Sequence, residues 1–252
     1  MIFNTHTHLN DDKFKENYAE VIEKSLSMGM KLLIVGYNLE MSKRAIQIAE
    51  EFDGVYASVG LHPSDSSIYS VELMNELEEM LQHEKVIAIG ECGLDYYWDS
   101  CPRDIQELSF DAQIKLGKKY DLPVIVHSRD ALEATYKQLK KHAPLKGIMH
   151  CYSGSSEMAP MFTSLGLHIS LAGPVTFKNA KVPKEVAVTV PLDKLLVETD
   201  CPYLAPTPFR GKENRAYYVT YVIEGIAELK GIDSESVENA TYNNAMKLFG
   251  LE

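Results

Sequence analysis

Six side chains able to bind a divalent cation are spaced along this chain in a suggestive way. His6 and His8 are separated by one residue, and Glu91, His127, His150 and Asp200 each sit at or just past the end of a short aliphatic or β-branched run. A strand alternates its side chains with period two, so His6 and His8 share one face and Thr7 takes the other, and both imidazoles can reach one ion. An H-x-H pair alone is a weak signal. Metal-competent residues at the ends of five separate runs are a stronger one. Four imidazoles and two carboxylates suit borderline ions such as Zn²⁺, Mn²⁺, Fe²⁺ or Co²⁺, and carboxylates with water also admit Mg²⁺. Six ligands exceed the need of one tetrahedral ion, and a carboxylate can bridge two, so a pair of divalent ions is the economical reading. Such a pair polarises an ester, lowers the pKa of a water and stabilises a leaving oxygen.

The bland readings stand beside this one. His83, His142 and His168 lack such company and read as surface or satisfied core histidines. Cys92, Cys151 and Cys201 each directly follow a candidate ligand, and alternation aims them away from it, as small packing residues. Glu198 shares a face with Asp200, where orienting a water or ligand and belonging to a polar core layer are both open. For the constellation itself, buried imidazoles and carboxylates without partners would be costly, which favours the metal.

The elements that must position these residues follow a regular rhythm. Strand-like runs occur at Met1–Asn4, Lys31–Gly36, Val55–Gly60, Val86–Gly90, Pro123–Val126, Gly147–Met149, His168–Leu171 and Lys194–Val197. Between them lie apolar stripes of helical period, such as Phe14, Tyr18, Val21, Ile22 and Leu26, or Leu73, Leu77, Met80 and Leu81. Asp11 is placed to cap the first helix and Gly29 to end it. Eight strand–helix units predict an α/β fold of the (β/α)₈ TIM-barrel type, one domain over residues 1–252, with an open doubly wound sheet as the rival. Pro202–Gly211 reads as a long loop after the eighth strand, and the helical pattern over Val237–Phe249 as the closing element. In such a barrel chemistry gathers at the C-terminal ends of the strands, where His6/His8, Glu91, His127, His150 and Asp200 fall.

Composition narrows the function classes. The 252 residues are 45% hydrophobic and 24% charged, which suits a soluble globular chain. Apolar runs such as Leu32–Val35 are far too short to cross a bilayer, so no membrane partner is expected. With no basic, apolar leader before Ile2 and four cysteines lacking any C-x-x-C pairing, a cytoplasmic protein with reduced thiols is expected. Twenty-five basic against 36 acidic residues give a formal charge of −11, so any phosphate-bearing partner must be gripped locally rather than wrapped by a basic surface. No organic cofactor motif is present, and no oligomer is implied.

The motifs taken together resemble the TatD family of metal-dependent deoxyribonucleases, among the amidohydrolase-type barrels. They run the length of the chain: Asn4-Thr5-His6-Thr7-His8-Leu9, Gly60-Leu61-His62-Pro63, Gly90-Glu91-Cys92-Gly93-Leu94-Asp95-Tyr96-Tyr97, Pro123 to Arg129, His150-Cys151-Tyr152-Ser153-Gly154 and Glu198 to Pro206. The resemblance implies that His6, His8 and Asp200 hold one ion, His127 and His150 the other, with Glu91 bridging. Many amidohydrolase relatives carry a modified lysine at the end of the fourth strand. Glu91 in that place favours the TatD branch. Family members are nucleases, often releasing nucleotides from a DNA 3′ end, and some are D-aminoacyl-tRNA deacylases.

On that basis the expected activity is a nuclease, in particular a deoxyribonuclease and exonuclease, whose substrate is DNA at strand ends or in single strands. Asp200 is the expected general base, with Glu91 beside it at the catalytic centre, and His62, Arg129, Arg210 and Lys212 are the candidate phosphate contacts. Tyr96, Tyr97 and Trp98 are placed either to stack on an unpaired base or to pack against their own loop. The chain departs from the family after the eighth strand. The usual Pro-His-Arg-Gly-Lys-Arg-Asn-Glu-Pro run is here Pro208-Phe209-Arg210-Gly211-Lys212-Glu213-Asn214-Arg215-Ala216, without the histidine or the Glu-Pro pair. The rivals are a hydrolase using the same metals on a carboxyl ester or amide, D-aminoacyl-tRNA included, and a non-catalytic metal-binding interaction protein.

Overall fold

The computed structural model describes residues 1–98 and 100–251. Eight strands form one sheet: β1 (Ile2–Thr7), β2 (Met30–Val35), β3 (Val55–Val59), β4 (Val86–Asp95), β5 (Val124–Arg129), β6 (Gly147–Met149), β7 (Leu167–Leu171) and β8 (Leu195–Val197). They are covered by α1 (Tyr18–Ser27), α2 (Leu39–Glu51), α3 (Val71–Met80), α4 (Arg103–Tyr120), α5 (Leu132–His142), α6 (Ala159–Ser164), α7 (Lys181–Thr189), α8 (Val219–Lys230) and α9 (Ser234–Phe249).

Every strand pairs in parallel with the next, in the order β1 to β8. The chain just past β8 then returns to β1: Asp200 N–H donates to His6 O at 3.0 Å, His8 N–H donates to Cys201 O at 2.8 Å, and Thr7 bridges Cys201 in parallel. A doubly wound sheet would reverse its strand order and leave two open edges. Sequential order with this return makes the fold a (β/α)₈ barrel.

Two apolar layers hold it. The larger lies between strands and helices and includes Val21, Ile22, Leu32, Leu77, Phe110, Phe162 and Ile226. The smaller draws Phe3, Leu33, Ile87, Ile125, Ile148 and Leu196 from different strands onto Leu248 and Phe249 of α9. Side chains from so many strands meet only inside the barrel, so α9 stoppers its end opposite the ligand-bearing one. Phe3 and Phe249 stack with centroids 5.2 Å apart. Side-chain caps start several helices: Asn38 accepts from Met41 N–H, Ser70 from Leu73 N–H and Asp233 from Ser236 N–H.

Some expected boundaries shift. β1 and β5 run on to Thr7 and Arg129, so His6 and His127 are strand residues. β4 continues past Gly90 to Asp95 after a register shift between Ile89 and Cys92. Asp11 caps the short 3₁₀ turn Asp12–Phe14, which buries Phe14, and α1 starts only after Asn17. Gly29, at φ 75°, ends α1 as its position suggested.

Candidate metal centre

All six candidate ligands arrive at one barrel mouth because each lies at the C-terminal end of a strand or just beyond it. Glu91 enters through a close approach of β3 and β4: a Cβ on Gly60 would lie 2.6 Å from the Gly90 backbone, and Gly90 itself has φ 127°, open to glycine. Its two carboxylate oxygens then face different partners. Oε2 is 3.4 Å from His6 Nε2 and 3.6 Å from His8 Nε2. Oε1 is 3.0 Å from His127 Nδ1, 3.3 Å from His150 Nε2 and 3.6 Å from His62 Nε2. Asp200 closes the first side, with Oδ1 at 3.4 Å from His8 Nε2 and 3.7 Å from His6 Nε2.

Three sets of ligand atoms draw close enough to share an ion: His6, His8 and Asp200; His6, Glu91 and His150; and His62, Glu91 and His127. The first matches the trio expected from the resemblance. On the other side of Glu91, His62 stands with His127, while His150 stacks on His6 with ring centroids 3.6 Å apart.

The partners of the far ring nitrogens set which nitrogen faces the centre. His8 Nδ1 is 3.3 Å from Val35 O, and donating there leaves Nε2 as the free lone pair. His127 Nε2 is 2.9 Å from Asp95 Oδ2, and donating there leaves Nδ1 for the centre. This backing of an imidazole by a carboxylate or carbonyl is what fixes the tautomer of a metal-binding histidine. His62 is the reverse case: its Nδ1 accepts from Ser64 N–H at 3.1 Å, so the neutral ring carries its proton on Nε2 and points a donor inward. His150 Nδ1 is 2.8 Å from Glu198 Oε1, an ion-pair contact.

Electrostatics follow from crowding. Burial works to raise the Glu91 carboxyl, but the surrounding imidazoles, His150 foremost, hold it well below the usual carboxylate range. For Asp200 burial likewise loses to the His8 contact, and its carboxyl is lowered. Burial, reinforced by His127, pushes His62 down to about 3, so it is neutral near pH 7. His150 is raised to about 10 because Glu198 and Glu91 overcome its burial, and a cation held beside Glu91 would displace that proton.

This donor set fits divalent cations. His6 Nε2 and His8 Nε2 are 3.1 Å apart, too close for two bare lone pairs, and His6 Nδ1 is buried with no partner. Two nitrogens each about 2.1 Å from one ion stand roughly that far apart. Both Glu91 oxygens face inward between the two groups of nitrogens, as a bridging carboxylate requires.

The centre forms the floor of a cleft of about 290 Å³ whose rim adds Asp11, Tyr37 and Tyr203. None of the three carries a site role in the sequence, where Asp11 reads only as a cap and Tyr203 lies inside the Glu198 to Pro206 motif. Asp95 lies inside the Gly90 to Tyr97 motif with no role assigned, and it is buried against His127. Of the expected substrate contacts, His62 lines the cleft. Arg129 is exposed at the end of β5, outside the cleft lining, its guanidinium 3.9 Å from the Tyr97 ring centroid. Arg210 packs over Phe177 at 4.5 Å, and neither it nor Lys212 is among the residues lining the cleft. Phe209, in place of the family's histidine, stacks on Tyr218 with centroids 4.1 Å apart. Tyr96 donates to Glu107 at 3.1 Å and packs under Arg103, whereas Tyr97 and Trp98 are exposed. Cys92 and Cys201 are buried, and no cysteine joins a ligand group among the described residues. No helix among those residues is long and apolar enough to cross a membrane.

Comparison with known proteins places the whole chain in one family. The profile of the family described as TatD related DNase matches residues 3–250. The chain is 46% identical over 254 residues to the uncharacterized metal-dependent hydrolase YabD of Bacillus subtilis (strain 168), covering 100% of both. It is 37% identical over 258 residues to the uncharacterized metal-dependent hydrolase YcfH of Escherichia coli (strain K12), covering 100% of this chain and 96% of that one. The crystal structure of YjjV, a TatD homologue from Escherichia coli K12, superposes with a TM-score of 0.93 at 32% identity, over 100% of this chain and 98% of that one. With a matching profile over nearly its whole length, the chain belongs to the TatD family of metal-dependent hydrolases.

Proposed function

We propose that this protein is a divalent-metal-dependent phosphodiester hydrolase acting on DNA, releasing nucleotides from the 3′ end of single-stranded or frayed strands. The observation that carries the reading is Glu91, whose two oxygens face separate sets of imidazoles inside one cleft. His6, His8 and Asp200 would hold one ion, and His127 and His150 the other, with Glu91 between them. Bound there, two divalent ions supply Lewis acidity to the phosphodiester and lower the pKa of a water.

The chain's own groups account for the rest. The Asp200 carboxylate is ionised at neutral pH beside His8, so it takes a proton from the attacking water and returns it to the leaving oxygen as the P–O bond breaks. His62, neutral with its proton on Nε2, donates to a phosphoryl oxygen as negative charge builds there. Val35 O and Asp95 keep His8 and His127 in the tautomers the centre needs. Wild-type protein supplied with Mg²⁺ or Mn²⁺ is expected to release nucleotides from DNA and little amino acid from charged tRNA. Amino-acid release with intact DNA would replace this reading with that of an ester hydrolase.

A further inference from the structure

We propose that Tyr97, Trp98 and Arg129 form a stacking platform for one unpaired nucleobase next to the phosphodiester held at the metal centre. This rests on the phosphodiesterase reading and names the feature that selects unpaired strand. Tyr97 and Trp98 are 53% and 61% exposed, and their rings meet edge to face at 5.0 Å. The Arg129 guanidinium lies 3.9 Å from the Tyr97 centroid and 5.4 Å from that of Trp98. On a chain of net charge −11, a guanidinium on an exposed aromatic pair complements the one partner that offers π-faces and phosphates together.

The platform is tied to the centre by a single carboxylate. Asp95 Oδ1 accepts from Tyr97 N–H at 3.0 Å and from Trp98 N–H at 3.1 Å, while Oδ2 faces His127 Nε2 at 2.9 Å. Tyr96 N–H donates to Arg129 O at 2.9 Å, locking the arm to the end of β5. His127 and Arg129 are two residues apart on that strand, about 7 Å, which roughly one or two nucleotides of a single strand can span. A duplex keeps its bases stacked inside and offers this arm nothing to hold.

Trp98 is the only tryptophan in the sequence, so its fluorescence reports the platform directly. With Mg²⁺ present and phosphorothioate linkages that resist cleavage, a short single-stranded oligothymidylate is expected to quench the emission saturably, and an abasic strand of equal length and linkage to quench it far less. Trp98→Ala and Tyr97→Ala are each expected to raise KM for single-stranded DNA about tenfold, with Trp98→Phe restoring most of the loss. Equal quenching by both strands, no quenching by either, or an unchanged KM in Trp98→Ala would overturn the platform. Base-dependent quenching in a protein that releases no nucleotide would uphold the platform and remove the phosphodiesterase reading instead.

Discussion

His127 faces Glu91 with one ring nitrogen, at 3.0 Å, and Asp95 with the other, at 2.9 Å. The Asp95 carboxylate, buried and lowered by this imidazole and by two backbone N–H groups against the effect of burial, thereby sets the orientation of a candidate ligand and of the aromatic arm at once. Asp95→Asn would present an amide N–H to the ring N–H. It is expected to weaken metal binding about 10- to 100-fold without unfolding the protein. Calorimetric titration with Mn²⁺ measures this, and an unchanged affinity would show that the contact does not serve the centre.

Removing metal is expected to cost stability as well as activity. Without cations, the 3.1 Å approach of the His6 and His8 nitrogens and the partnerless His6 Nδ1 are uncompensated. Metal at about 100 times its Kd adds about 2.7 kcal/mol, which for a chain of this size raises Tm by several degrees. Differential scanning calorimetry with chelator and then with excess Mn²⁺ checks this. Identical transitions would contradict it.

His168 gives a pH dependence independent of the centre. Burial, with a smaller push from Lys194, lowers it to about 4, and its Nδ1 has no partner. Its folded pKa lies below the unfolded value of 6.5, so the unfolded chain binds the extra proton between these values. Stability is therefore lost as pH falls from about 6.5 toward 4. In urea unfolding, wild type should lose of order 1–2 kcal/mol more than His168→Gln between pH 7 and pH 5, allowing for partial exposure. Parallel pH profiles for the two proteins would refute the assignment.

Phe209 is expected to matter for the loop rather than the reaction. It stacks on Tyr218 at 4.1 Å and meets Tyr221 edge-on at 5.3 Å, outside the cleft lining. Phe209→Ala should cost about 1–2 kcal/mol of stability and leave kcat within about twofold. A large fall in kcat with an unchanged Tm would place this side chain at the substrate.

The barrel was legible because eight short aliphatic runs alternate with helical stripes, and each run lies within a few residues of an observed strand. The shared mouth was legible for the same reason: a ligand-competent residue at a strand end needs no further information to be placed. Asp95 was not. The glycine-rich segment after Gly90 reads as a loop, and the register shift between Ile89 and Cys92 breaks the period-two rule that would have carried β4 onward. The pairing of His62 with His127 was equally hidden, because His62 follows β3 in a turn whose direction depends on the Ser64 N–H contact. Loop side chains such as Arg210, drawn onto Phe177, take directions that depend on distant packing partners.

Metal-dependent hydrolysis of DNA from a strand end, with Asp200 as the base, is checked with single-stranded DNA labelled separately at each end. Wild type with Mg²⁺, Mn²⁺ or chelator would be compared with Asp200→Asn. Metal-dependent nucleotide release from the 3′ end is expected, with kcat reduced about 10²- to 10⁴-fold in the variant. Undiminished release by Asp200→Asn, or no release by a metal-loaded wild type, would contradict it.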